Sequence, residues 1–155
     1  MSTAVSYEVR RAGSQRELAQ ALQLRYDVFC LEQGVPEREE LDGRDQEGIH
    51  LVAVAVGETD EEAPGEVLGT CRLVLVGRTA QFSRLAVKPS ARRRGIATAL
   101  LEAADAETRA AGGRRLVLHA QTYALPLYEQ TGYVPRGNVF REAGIDHIAM
   151  EKELP

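Results

Sequence analysis

Apolar positions in this 155-residue chain switch between a two-residue and a helical repeat, and the switches mark its elements. Tyr7 to Ala12 alternates as a strand does. Ser14 and Glu17 then form an S-x-x-E capping box, the start signal of a helix. Leu18, Ala21, Leu22, Arg25, Val28 and Phe29 follow at helical spacing. Leu31 to Glu47 is polar and acidic, broken by Gly34-Val35-Pro36, with room for only a short helix. Ile49 to Val56 reads as a buried strand, and Gly57 to Gly65 as an acidic turn region holding Asp60-Glu61-Glu62 and Pro64-Gly65. Val67 to Val76 and Thr79 to Val87 predict a hairpin around Gly77-Arg78. Pro89 ends the strand region. A helix from about Gly95 to Ala111 buries Ile96, Leu100, Leu101 and Ala104 and stops at Gly112-Gly113. Arg115 to His119 predicts a strand, Leu125 to Thr131 a short helix closed by Gly132, and Tyr133 to Pro135 and His147 to Glu151 two short strands. Strands in the first half, one βαβ crossover and more strands predict an α/β (α+β) fold with a mixed sheet flanked by helices. The length fits one domain over residues 1–155.

Composition changes this picture little. The chain is 27% charged and 44% apolar, ordinary for a globular protein. No apolar run approaches the ~20 residues of a membrane span, and Met1-Ser2-Thr3-Ala4 lacks the regions of a signal peptide. Cys30 and Cys71 show no CxxC or Cys/His spacing and read as reduced thiols of a cytoplasmic protein. The spacings of His50, His119 and His147 hold no ligand motif, so no metal is expected. Charge adds more. Residues 1–66 carry 6 basic and 15 acidic side chains, net −9, and residues 67–155 carry 13 and 8, net +5. Such asymmetry suggests two faces with different partners. A nucleic-acid partner is not expected, because the arginines form one short run without aromatic stacking positions.

The basic half contains Arg92-Arg93-Arg94-Gly95-Ile96-Ala97 between a strand and a helix. A helix start exposes unpaired N–H groups and the positive end of the dipole. Gly95 allows an anion to approach that backbone, Ala97 keeps the first turn narrow, and the arginines add donors. The segment reads as a pyrophosphate cradle.

Three segments together resemble the GNAT superfamily of N-acyltransferases. Leu85-Ala86-Val87-x-Pro89 precedes Arg92-x-x-Gly95-x-Ala97, which is similar to the superfamily's acyl-CoA motif. Ala124-x-x-Leu127-Tyr128-Glu129-x-x-Gly132-Tyr133 resembles its C-terminal segment. Arg25-x-x-x-Phe29-x-x-Glu32-Gln33-Gly34-Val35-Pro36, then Glu40-Leu41-Asp42, Asp45 and His50, and the ending Gly144-Ile145-Asp146-His147-Ile148-x-Met150 resemble its ElaA-like branch. The resemblance implies a mostly antiparallel sheet and transfer of an acetyl or other acyl group from acetyl-CoA to a primary amine. It implies that N–H groups of Arg93, Arg94, Gly95, Ile96, Ala97 and Thr98 hold the pyrophosphate, with Arg92 and Arg94 reaching phosphates. Leu85, Ala86 and Val87 would pair with pantetheine through the main chain and stabilise the oxyanion. Gln121 stands where the family often has an Asn on the pantetheine arm, and Tyr128 matches its general acid. The base stays open among His119, His147 and His50, with Glu142, Glu32 or a water chain as alternatives.

Glu37, Glu39, Glu40, Asp42, Asp45 and Glu47 crowd the segment that usually forms the acceptor side and would attract a cationic small-molecule or peptide amine; equally they would form a solvated loop. The chain is expected as monomer or homodimer. Two other functions compete. Arg25-x-x-x-Phe29, Asp42-x-x-Asp45 and Arg72 also resemble acyl-homoserine-lactone synthases, which use S-adenosylmethionine, although this chain has no tryptophan. A non-catalytic acyl-CoA-binding module is the third.

Overall fold

The computed structural model describes residues 6–59 and 62–155; the sequence readings at Met1–Ala4 and at Asp60-Glu61 lie outside the described residues. Strands β1 (Tyr7–Arg11), β2 (Ile49–Ala55), β3 (Val67–Val76), β4 (Thr79–Val87), β5 (Arg115–Gln121), β6 (Val134–Glu142) and β7 (Ile145–Glu153) form one sheet in the order β1-β2-β3-β4-β5-β7-β6. Every neighbouring pair is antiparallel except β4 and β5. Helices α1 (Gln15–Arg25), α2 (Glu37–Glu40), α3 (Ile96–Ala110) and α4 (Leu125–Gln130) complete the framework.

Side-chain alternation along the strands separates two cores. Val52, Val54, Val67 and Ala86 pack against Ala21 and Leu24 of α1. Leu51, Ala53, Leu73, Phe82, Leu116 and Leu118 pack on the other face with Leu100 and Leu101 of α3 and Tyr128 of α4. Gly69 on β3 sets how deeply α3 sits, because a Cβ there would come within 2.7 Å of Ile96 Cγ2. That close approach places the start of α3 beside the end of β4.

The parallel pair is the feature that matters for function. β4 and β5 are in register at only three pairs, Thr79–Arg115, Ala80–Leu116 and Gln81–Val117, and part beyond them. The cause is a bulge in β4. Thr70 faces Ala86 but Arg72 faces Ser83, so β4 carries an extra residue, and Arg84 sits in the left-handed region at φ 59°. A bulge bends its strand and reverses side-chain parity beyond it. Phe82 accordingly packs on the α3 side, Ala86 on the α1 side, and Leu85 and Val87 on the α3 side again. The bend carries the end of β4 away from β5 and opens a V-shaped gap.

Three expectations change. The first helix does not stay α-helical to Phe29: residues Tyr26–Glu32 form a π-helix, with the Gln33 N–H donating to the Val28 carbonyl. The strands placed at Tyr133–Pro135 and His147–Glu151 are parts of a long hairpin, β6–β7. Most of β6 is exposed, so no apolar alternation marks it. Its turn, Ala143-Gly144, has positive φ at both residues, as a two-residue hairpin turn requires, but Ala is not a residue that signals such a turn. The acidic segment is a solvated loop only in part: Glu37, Glu39 and Glu47 stay exposed, whereas Glu40, Asp42 and Asp45 are taken up by arginines. Arg25 is 1% exposed and holds Glu40 at 2.6 Å and Asp45 at 2.7 Å. Arg72 holds Asp42 at 2.6 Å and Asp45 at 2.9 Å, and Arg84 reaches Glu40 and Asp42. This network of arginines and carboxylates ties α1, α2, β3 and the β4 bulge together.

It also sets an acid limit on stability. Hydrogen bonds from Arg72 hold the Asp42 carboxyl well below the usual carboxylate range. For Asp45, burial pushes upward but Arg25 and Arg72 prevail and the pKa is lowered. A depressed folded-state pKa contributes stability above the unfolded value, near about 4, which is lost as pH falls below it. The urea midpoint should therefore hold steady from neutrality to about pH 5 and decline below about pH 4. An Asp42→Asn variant should show a shallower decline; an identical decline would remove Asp42 from this role.

Candidate active site

The gap between β4 and β5 opens into a cavity of about 990 Å³, the upper end of the range for ligand sites. One wall is the end of β4. The Lys88 N–H donates to the Leu68 carbonyl on β3, so strand alternation turns the N–H and C=O of Leu85 and Val87 the other way, into the gap. The Val87 carbonyl there accepts from Arg92 Nε at 3.1 Å. The floor is the start of α3. Gly95, at φ 81°, is its N-cap, and no side chain caps the helix. By contrast, α1 is capped by Ser14, whose hydroxyl accepts from the Glu17 N–H at 3.1 Å. The first N–H groups of α3 are thus free for an anion. Tyr7 steadies the loop by donating to the Arg94 carbonyl at 3.2 Å.

Every non-glycine residue with positive φ among the described residues, Arg84, Arg93 and Ala143, lines this cavity. Such conformations cost on the order of 1–3 kcal/mol each and gather at functional sites.

The sequence-predicted residues distribute unevenly. Leu85, Ala86, Val87, Arg92, Arg93, Gly95, Ile96, Ala97, Thr98, Gln121, Tyr128, His119 and His147 all line the cavity. Arg94 does not: its guanidinium turns to Glu62 at 2.5 Å and to Ser6. Arg92 is held bidentately by Glu32, at 2.7 and 2.8 Å. Next to it, Gln33 Oε1 accepts from Gln121 Nε2 at 2.8 Å. Adjacent residues at the end of the π-helix therefore bridge both walls of the gap. His50 is withdrawn from the cavity and donates from Nε2 to the Asp45 carbonyl at 2.8 Å.

Tyr128 is 8% exposed and packs edge-to-face on Tyr133 at 6.0 Å. Burial pushes its hydroxyl pKa up, so the group keeps its proton at neutral pH. On the other side of the sheet from Tyr128, Glu142 lies between His119 and His147. His119 Nδ1 is 3.2 Å and 3.3 Å from the two Glu142 oxygens. Phe140 meets His119 edge-on at 5.0 Å and stacks with His147 at 6.0 Å. The sequence offers no signal for Phe140 as a site residue, because strand β6 itself is not legible there.

A splayed parallel pair, an uncapped helix start at its mouth and a buried tyrosine lining the same cavity suit an acyl-CoA-dependent acyltransferase. The chain belongs to the GNAT acetyltransferase family, whose model, described as "Acetyltransferase (GNAT) domain", matches residues 37–154. It is 32% identical over 143 residues to the uncharacterized N-acetyltransferase YjcF of Bacillus subtilis (strain 168), covering 92% of this chain and 96% of that protein. A crystal structure of an acyl-CoA N-acyltransferase from Pseudomonas aeruginosa is 28% identical, with TM-score 0.76 and coverage of 96% and 99%. Escherichia coli ElaA shares the fold at TM-score 0.76 and 22% identity, over 95% of this chain and 98% of that one. Neither the S-adenosylmethionine-using alternative nor the non-catalytic module is supported by these matches.

Proposed function

We propose that this chain, acting as one domain, moves the acetyl group of acetyl-CoA onto a primary amine by direct attack on the thioester. The observation that carries the reading is the convergence of the β4 edge, the uncapped α3 start and the Tyr128 ring on one cavity. Bound acetyl-CoA supplies the thioester carbonyl. The N–H groups from Arg93 to Thr98 hold its pyrophosphate. The main chain of Leu85 and Val87 holds the pantetheine arm and polarises the carbonyl, and Gln121 contacts that arm after releasing Gln33. Arg92 reaches phosphate by leaving Glu32. That exchange is cheap, because both side chains are about two-fifths exposed and such surface pairs contribute only ~0–1 kcal/mol. Arg93, which among the described residues has no ion-pair partner, adds charge. Tyr128 gives its proton to the departing thiolate.

The acceptor is a small-molecule or peptide amine. Glu40, Asp42 and Asp45 are neutralised by arginines, so attraction of a cationic acceptor falls to Glu39 and Glu142, which line the cavity without an arginine or lysine partner for their carboxylates among the described residues. Among the described residues no helix is long and apolar enough to cross a membrane, and the free thiols Cys30 and Cys71 suit a reducing cytoplasm.

Screening polyamines, amino acids, aminoglycosides and peptides with acetyl-CoA and thiol detection tests this reading. Thiol release that depends on a primary amine supports it; release only with hydroxyl or thiol acceptors would overturn it. The cradle has its own test. In Gly95→Val a branched side chain would occupy a left-handed position, at a cost of ~1–2 kcal/mol, and would crowd the amides. Losing one or two amide bonds to a charged group raises the Kd for acetyl-CoA by roughly 10- to 100-fold. Unchanged affinity by calorimetry would rule out the α3 start as the anion site.

A further inference from the structure

The cluster of Glu142, His119, His147 and Phe140 contains an unfilled hydrogen-bonding position. His147 is 7% exposed, and its Nδ1 lies 2.7 Å from the Ile145 carbonyl. A carbonyl only accepts, so Nδ1 carries a proton, and in the neutral tautomer that this selects, the lone pair sits on Nε2. That nitrogen points at Glu142 Oε2 across 3.8 Å, too far for a hydrogen bond. Two acceptors therefore face each other at a distance that one N–H-rich group, set to the side of both, would satisfy simultaneously. His119 occupies the opposite flank of the same carboxylate. The Phe140 ring lies against both imidazoles and fixes their placement beside the carboxylate. A carboxylate oxygen beside an imidazole nitrogen, both acceptors, suits a nitrogen donor with several N–H bonds.

Building on the acetyltransferase reading, we propose that Glu142 Oε2 and His147 Nε2 together bind the acceptor's ammonium group and take its proton. Glu142 supplies the counter-charge and His147 the second acceptor. One N–H bond of the ammonium breaks, the proton passes to the carboxylate or to Nε2, and the electron pair of that bond stays on nitrogen as the lone pair needed for attack. Both are catalytic residues in this scheme. His119 is a positioning residue that holds the carboxylate from behind. The strained Ala143, at φ 52°, is the next residue after Glu142, and the tight hairpin turn it forms presents Glu142 to the cavity.

The test uses histidine-15N-labelled protein saturated with coenzyme A, titrated with n-butylammonium and, separately, with n-butanol. Butylammonium should shift the His147 and His119 ring nitrogens progressively in the wild type and leave them unmoved in Glu142→Gln, and butanol should move neither. Glu142 is half-exposed, so this variant keeps the fold. Unmoved ring nitrogens in the wild type, or equal shifts in Glu142→Gln, would overturn the amine site. Coenzyme A binding is read in the same sample: its failure would count against the acetyltransferase reading, whereas normal binding with no response to butylammonium would count against this proposal alone.

Discussion

Tyr128→Phe should lower kcat by roughly 10²–10⁴-fold, the usual contribution of a positioned general acid, and leave acetyl-CoA affinity unchanged. The two effects separate because the ring and the hydroxyl do different work. The ring fills the core between α4 and the sheet and packs edge-on against Tyr133, and Phe keeps that contact. In the proposed mechanism the hydroxyl alone carries the proton that the leaving thiolate needs, and burial keeps it protonated at neutral pH. Steady-state kinetics with any amine that reacts, together with a binding isotherm, distinguishes the outcomes. Full turnover in the variant would mean that the thiolate leaves without help from this residue.

The largest stability effect is expected at Arg25. Arg25→Met keeps the length of the side chain but removes a guanidinium that is 1% exposed and serves both Glu40 and Asp45. Glu40 is itself buried, and three carboxylates would then share two arginines. Breaking a buried pair from one side costs about 3–5 kcal/mol, a large part of the ~5–15 kcal/mol that holds a domain together. Urea denaturation should show this loss, and Arg25→Lys should recover part of it by restoring charge without the forked geometry. A loss below about 1 kcal/mol would place the network among ordinary surface ion pairs. The effect should extend to activity in both variants, because Glu40 also accepts from Arg84 in the bulge that opens the cleft.

This network explains why part of the site is hidden in the sequence. The β3–β4 hairpin and α3 are legible because their apolar spacing and their glycines, Gly77 and Gly95, carry local physical requirements. The uncapped start of α3 is legible for the same reason. The bulge at Arg84 is not, since an arginine at φ 59° is held there by partners more than forty residues away in sequence. The acidic segment misleads for a related reason: a run of carboxylates looks solvated until the arginines that neutralise Glu40, Asp42 and Asp45 are brought in from α1, β3 and β4. Arg92 and Arg94 show the converse. Their place in the motif suggests phosphate, but the fold supplies Glu32 and Glu62 as partners, and nothing local announces either. Strand β6 escapes because an exposed edge has no core to pattern it, and Phe140 escapes with it.

On the proposed function, the gap between β4 and β5, closed by the start of α3, is an acetyl-CoA site. Calorimetric titration of acetyl-CoA into the wild type and into Gly95→Val, with S-adenosylmethionine as a second ligand, addresses it most directly. The wild type should bind acetyl-CoA stoichiometrically, Gly95→Val should bind it at least tenfold more weakly, as about 1.4 kcal/mol of lost cradle contacts requires, and S-adenosylmethionine should give no heat. Binding of S-adenosylmethionine in place of acetyl-CoA, or equal acetyl-CoA affinity in the two proteins, would contradict the claim.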